Sequence, residues 1–98
     1  MNYRDEYYRL NWDELAPIGI SKEKGVLLID YDGCNWLKEI SCPISVAIIM
    51  FIAFHNEVSV IGGHEMFVHF YDDNRGNAFF FDSAMKGLVE SEIIKRVE

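Results

Sequence analysis

Apolar and polar positions change their period several times along this chain, and each change marks an expected element. Over the first fifteen residues Tyr3, Tyr7, Leu10 and Glu14 share one helical face, with Tyr8, Trp12 and Leu15 beside it and Pro17 as the stop. The charged stretch "IGISKEKG" reads as a turn region closed by Gly25. The run "VLLIDY", Val26 to Tyr31, is β-branched and aromatic in the manner of a strand. Asp32-Gly33 follows it, a pair that tolerates the positive φ of a tight hairpin turn, so "WLKEIS" is expected as the returning strand.

The stretch "ISVAIIMFIAF", Ile44 to Phe54, has ten apolar residues in eleven. Its β-branched side chains favour a central strand covered on both faces; the rival is a buried helix opened by Pro43. Three further strands are expected in "EVSVI", "EMFVHFY" and "AFFFD", separated by Gly62-Gly63 and the polar loop "DDNRGN". From Ser83, a plausible N-cap, the period becomes helical through Met85, Val89, Ile93 and Val97. These elements predict an α+β fold: an antiparallel β-meander sheet of about five or six strands with an N-terminal and a C-terminal helix. The 98 residues are expected to form a single compact domain spanning 1–98.

The apolar run is too short for a membrane span, which needs about 20 residues. Charges in "MNYRDEYYRL" interrupt any secretory signal, so the expected location is cytoplasmic, with no membrane partner. Sixteen acidic against nine basic residues give a net charge of -7, which argues against direct nucleic-acid binding and favours a basic protein partner.

The sequence has no pattern for a cofactor or a metal. Cys34 and Cys42 match neither a zinc nor a redox spacing and are expected to serve as small buried hydrophobes. His64 and His69 would point to opposite faces of one strand, and His55 stands apart. "DYDG", Asp30 to Gly33, opens like a calcium loop but lacks the later oxygen ligands. No catalytic constellation stands out, and the chain is expected not to be an enzyme.

In the expected meander alternate loops share a rim. That rim would gather Asp32, Glu57, Asp72 and Asp73, flanked by Trp36 and Tyr71. Carboxylates beside aromatics suit a cationic protein surface. In size and composition, and through no motif, the chain is similar to toxin-neutralising immunity proteins and to phage-encoded inhibitors of nucleic-acid-directed defence systems. The expected function is therefore that of a small acidic protein-binding inhibitor that occludes a basic partner, such as a nuclease or nucleic-acid-binding protein. The alternatives are a structural subunit that forms a homodimer or larger homo-oligomer, and a hydrolase with a carboxylate site.

Overall fold

The computed structural model describes residues 3–40, 42–72 and 78–97. The fold is α+β, with five α-helices and five strands among the described residues, the strands in two antiparallel sheets rather than one meander. Strands β1 (Tyr7–Leu10), β4 (Val60–Gly62) and β5 (Ile94–Val97) form a three-stranded sheet in the order β4-β1-β5. Strands β2 (Ile20–Glu23) and β3 (Val26–Ile29) form a separate hairpin. The helices are α1 (Trp12–Leu15), α2 (Tyr31–Glu39), α3 (Pro43–His55), α4 (Gly63–Asp72) and α5 (Ala78–Glu90).

The expected central strand is the central helix. Within α3 the buried residues are Ser45, Ile48, Ile49, Ile52 and Ala53, a spacing of three, four, seven and eight that belongs to one helical face. Every remaining position except His55 is apolar too, so the sequence pattern hides this period. Pro43 occupies the first turn, where its missing N–H costs no hydrogen bond, and Cys42 is the N-cap residue. Burial among α5 and the sheet outweighs the modest helix penalty of the β-branched side chains.

Other expected strands are helices for similar reasons. In "EMFVHFY" Met66 and Phe70, four apart, are buried, while Val68 between them is exposed; in the expected strand all three would share one face. "AFFFD" opens α5, whose buried residues Phe81, Ala84, Met85 and Leu88 continue one stripe. That helix starts before Ser83 and ends at Glu90, so Ile93 and Val97 belong to the following turn and to β5. At its end Ile93 N–H donates to the Leu88 carbonyl and Glu92 N–H to that of Val89, a Schellman arrangement with Glu92 at φ 64°. The expected N-terminal helix is replaced by a short 3-10 turn, β1 and one turn of helix.

Tyr8, Leu10, Ile61 and Ile94 bring the three-stranded sheet into the core beneath α3 and α5. Asn11, buried at the end of β1, donates from Nδ2 to the Glu92 carbonyl at 2.9 Å, and its backbone N–H donates to that of Ile93. These bonds pin the start of the chain to the turn after α5. The phenol of Tyr8 is buried with no hydrogen-bond partner among the described residues. Burial first, then the nearby Glu6 and Tyr3, push its pKa up to about 12, against the opposing pull of Arg96.

Candidate functional site: the outer face of the hairpin

The hairpin turns at Lys24 and Gly25, which have φ of 51° and 79°. Positive φ at both central residues is the requirement of a type I′ turn, whose twist matches that of its strands. The register pairs Ile20 with Ile29, Ser21 with Leu28, Lys22 with Leu27 and Glu23 with Val26. Cross-strand partners share a face, so Ile20, Lys22, Leu27 and Ile29 point inward while Ser21, Glu23, Val26 and Leu28 point outward.

Lys22 fixes the inward face. Its ammonium donates to the carbonyls of Ala53 at 2.9 Å and of Asn56, and to Ser59 Oγ at 3.0 Å. Those carbonyls belong to the last turn and C-cap of α3, where backbone acceptors lack helical partners and a cation is favoured by the helix dipole. One lysine thus docks the hairpin and caps the central helix.

The base of the hairpin is fixed by Asp30. Its Oδ1 accepts from the Gly33 N–H at 3.0 Å as the N-cap of α2, and its own N–H donates to the Gly19 carbonyl. Asp32-Gly33 is therefore the first turn of a helix and not a hairpin, and Trp36 to Glu39 continue that helix instead of returning as a strand. Gly33 serves a close approach: a Cβ there would lie 2.7 Å from the Gly19 carbonyl oxygen and 2.9 Å from Ile20 Cγ1.

The outer face carries Val26 (58% exposed) and Leu28 (43%), and it continues into Tyr31 at 79%. An open depression of about 460 Å³ lies beside Leu28, lined by Ala16, Gly19, Ser21 and Asp30 among others. Exposed carboxylates border the face: Glu23 beside Val26, Asp30 and Asp32 at the base, and Glu57 at the tip, where a Cβ on Gly25 would lie 3.8 Å from Glu57 Cγ. The two ends are roughly 15 Å apart at strand spacing.

Of the residues expected to form an acidic rim, Asp32 and Glu57 stand at opposite ends of this hairpin, both exposed. Trp36 is half-buried on α2 against the core, so it is a packing residue with one exposed flank. Tyr71 is half-buried on α4 in an aromatic cluster, its ring 4.1 Å from that of Phe67 and 5.6 Å from that of Phe81. The Asp72 side chain and the whole of Asp73 lie outside the described residues. The rim is thus not built from alternate loops of a meander. Sequence reasoning missed Glu23, Val26, Leu28, Asp30 and Tyr31 as surface residues. The sequence VLLI is apolar at every position, so it carries no alternation to mark Val26 and Leu28 as the outward pair; that appears only in the burial of the folded strand.

Other candidate chemistry is distributed. His69 stacks on Phe51 at 4.1 Å with an interplanar angle of 12°, on α4 and not on a strand. His55 Nε2 lies 3.3 Å from Glu65 Oε2, and His64 is exposed. Cys34 is exposed on α2, against the expectation of burial, because α2 turns that position outward. Burial opposes ionisation of the half-buried Cys42 thiol, yet hydrogen bonding to the Ser45 amide and hydroxyl and the Ile44 amide outweighs it and leaves the pKa below its ordinary value. Among the described residues no three His, Cys, Asp or Glu side chains are placed to hold a metal ion, and no helix is long and apolar enough to cross a membrane. Comparison with protein-family models, with curated proteins and with solved structures finds no match to this chain.

Proposed function

We propose that this protein is a small acidic inhibitor that works by covering a basic surface of another protein with the outer face of its hairpin. The observation that carries the reading is the conjunction of exposed Val26, Leu28 and Tyr31 with the carboxylates of Glu23, Asp30, Asp32 and Glu57 around them. An apolar and aromatic centre supplies desolvation, and a charged border supplies orientation and a fast encounter. The net charge of -7 extends that attraction beyond the contact itself. The partner class that fits is a nuclease or another nucleic-acid-binding protein, whose Lys and Arg side chains would meet carboxylates in place of phosphates. The proposed role is that of an immunity protein or of an inhibitor of a defence system, acting by occlusion and without turnover.

Lys22 and the Asp30 cap support the reading because they hold the hairpin against α3 and α2, and a preorganised face loses less entropy on binding. The test is affinity capture from the source cell with the wild-type chain, with the Asp32→Lys/Glu57→Lys pair, and with Glu90→Lys at an exposed position of α5 as control. A basic protein retained by the wild type and the control but lost with the hairpin pair is the expected outcome. Retention by the hairpin pair would overturn the proposal.

A further inference from the structure

We infer that the hairpin takes an extended basic segment of its partner as a third strand, added along the free edge of β3. This deepens the proposed function and rests on it for the partner's charge.

The edge follows from the register. A two-residue turn makes Glu23 and Val26 a hydrogen-bonded pair, so Ser21 and Leu28 form the next one, while Leu27 and Ile29 turn their N–H and C=O groups away from β2. Among the described residues the hairpin sheet contains β2 and β3 alone, and neither Leu27 nor Ile29 makes a backbone hydrogen bond outside it. On the opposite side β2 runs against α1, whereas β3 packs chiefly on β2 and α2.

Edge strands are ordinarily protected by a charge, a proline or a bulge. Val26–Ile29 has none of these: its sequence is VLLI and its pairing with β2 is continuous. The outward groups of Leu27 and Ile29 offer up to four hydrogen bonds to an added antiparallel strand. The segment's residues opposite Val26 and Leu28 would lie on the outer face and extend its apolar surface. Those opposite Leu27 and Ile29 would donate and accept the backbone bonds.

Charge selects the occupant. Asp32 is exposed just beyond the C-terminal end of β3 and Glu57 is exposed at the turn, where Lys24 carries the opposite sign, while the Asp30 carboxylate lies over Gly19 beside the start of β2. An extended segment rich in Lys or Arg gains at both ends. A second copy of this chain would instead bring one charge of -7 against another.

The probe is a synthetic seven-residue peptide alternating lysine with valine, titrated into the isotopically labelled full chain. With valines beside Val26 and Leu28, the lysine amides face β3. The expected result is slower hydrogen exchange at the Leu27 and Ile29 amides, by at least tenfold at saturation. Methylating the lysine backbone nitrogens should weaken binding at least tenfold, while methylating the valine nitrogens should change it by less than about threefold. Equal binding by both methylated peptides, or protection elsewhere, would overturn strand addition. So would protection of Leu27 and Ile29 that grows with protein concentration in the absence of peptide, since the edge would then be filled by a second copy. No binding by any peptide also overturns it. In every such case the occlusion reading still stands if partner capture depends on Asp32 and Glu57.

Discussion

Replacing Lys22 with methionine should uncouple the hairpin from the rest of the molecule. Methionine keeps the apolar stem, so the change removes the ammonium and little packing. Lost are hydrogen bonds to the Ala53 and Asn56 carbonyls and to Ser59 Oγ. Hydrogen bonds from a charged donor contribute about 1.5–3 kcal/mol each when buried, and a cation at a helix C-terminus about 0.3–1 kcal/mol. Asn56 is exposed and Ser59 keeps its own 3.4 Å bond to the Ala53 carbonyl, so the lower part of that range applies. The net cost is about 2–3 kcal/mol, a substantial share of the 5–15 kcal/mol typical of a small domain. Urea denaturation reads it as a midpoint lowered by about 2 M if the slope is about 1–1.5 kcal/mol/M. Hydrogen exchange should also quicken across Ile20–Ile29 before the core opens. Lys86→Met, on the exposed side of α5, is the control. A loss below about 0.5 kcal/mol with unchanged exchange in the hairpin would refute the docking role of Lys22.

Three further outcomes follow from the same packing. Gly33→Ala should cost about 2–4 kcal/mol, since its methyl would meet the Gly19 carbonyl at 2.7 Å, whereas Gly87→Ala, with nothing within 4 Å, should gain about 0.5–1 kcal/mol in thermal or chemical denaturation. Because the folded-state pKa of Tyr8 is raised to about 12 from 10.0, the folded state favours the protonated phenol: its contribution is complete below pH 10 and is lost as pH rises toward 12, by no more than about 1.4 kcal/mol per pH unit. Tyr8→Phe should remove that alkaline loss and leave neutral-pH stability within about 1 kcal/mol, because the hydroxyl has no described partner. Glu92→Gly should stabilise by about 1 kcal/mol by relieving φ 64° at the end of α5, provided the Asn11 bond to its carbonyl persists, which the amide resonance of Asn11 would report.

How far the sequence disclosed this fold depends on whether period and burial agree. Val26 to Tyr31 reads as a strand and Val26–Ile29 is one, because β-branched residues bounded by charged turns leave few alternatives, while Asp30 and Tyr31 already belong to the start of α2. The helical stripe through Met85, Leu88 and Val89 is legible for the same reason, although its start at Ala78 is masked by three phenylalanines. Ile44 to Phe54 is apolar at nearly every position, so its helical burial pattern is invisible until neighbouring elements choose a face. Asp30 to Gly33 misleads through chemistry: the Asp side chain that suits a turn also caps a helix, and Gly33 answers to packing against Gly19 and not to positive φ. The true hairpin turn, Lys24-Gly25, has a lysine where asparagine or aspartate would announce it. At the candidate face the acidic character of Asp32 and Glu57 was legible. Their grouping around Val26, Leu28 and Tyr31 was not, since it depends on docking the hairpin through Lys22.

In the cell, the outer face of the hairpin should meet a basic protein. Site-specific photo-crosslinking in the source cell reads this contact, with p-benzoylphenylalanine placed at Leu28 in one variant and at Lys86 in another. The expected result is a cross-link from position 28 to a protein with a basic surface, absent from position 86 and lost when Asp32→Lys and Glu57→Lys are added. Cross-linking to a partner from position 86 alone, or a cross-link from position 28 that survives both charge reversals, would contradict it.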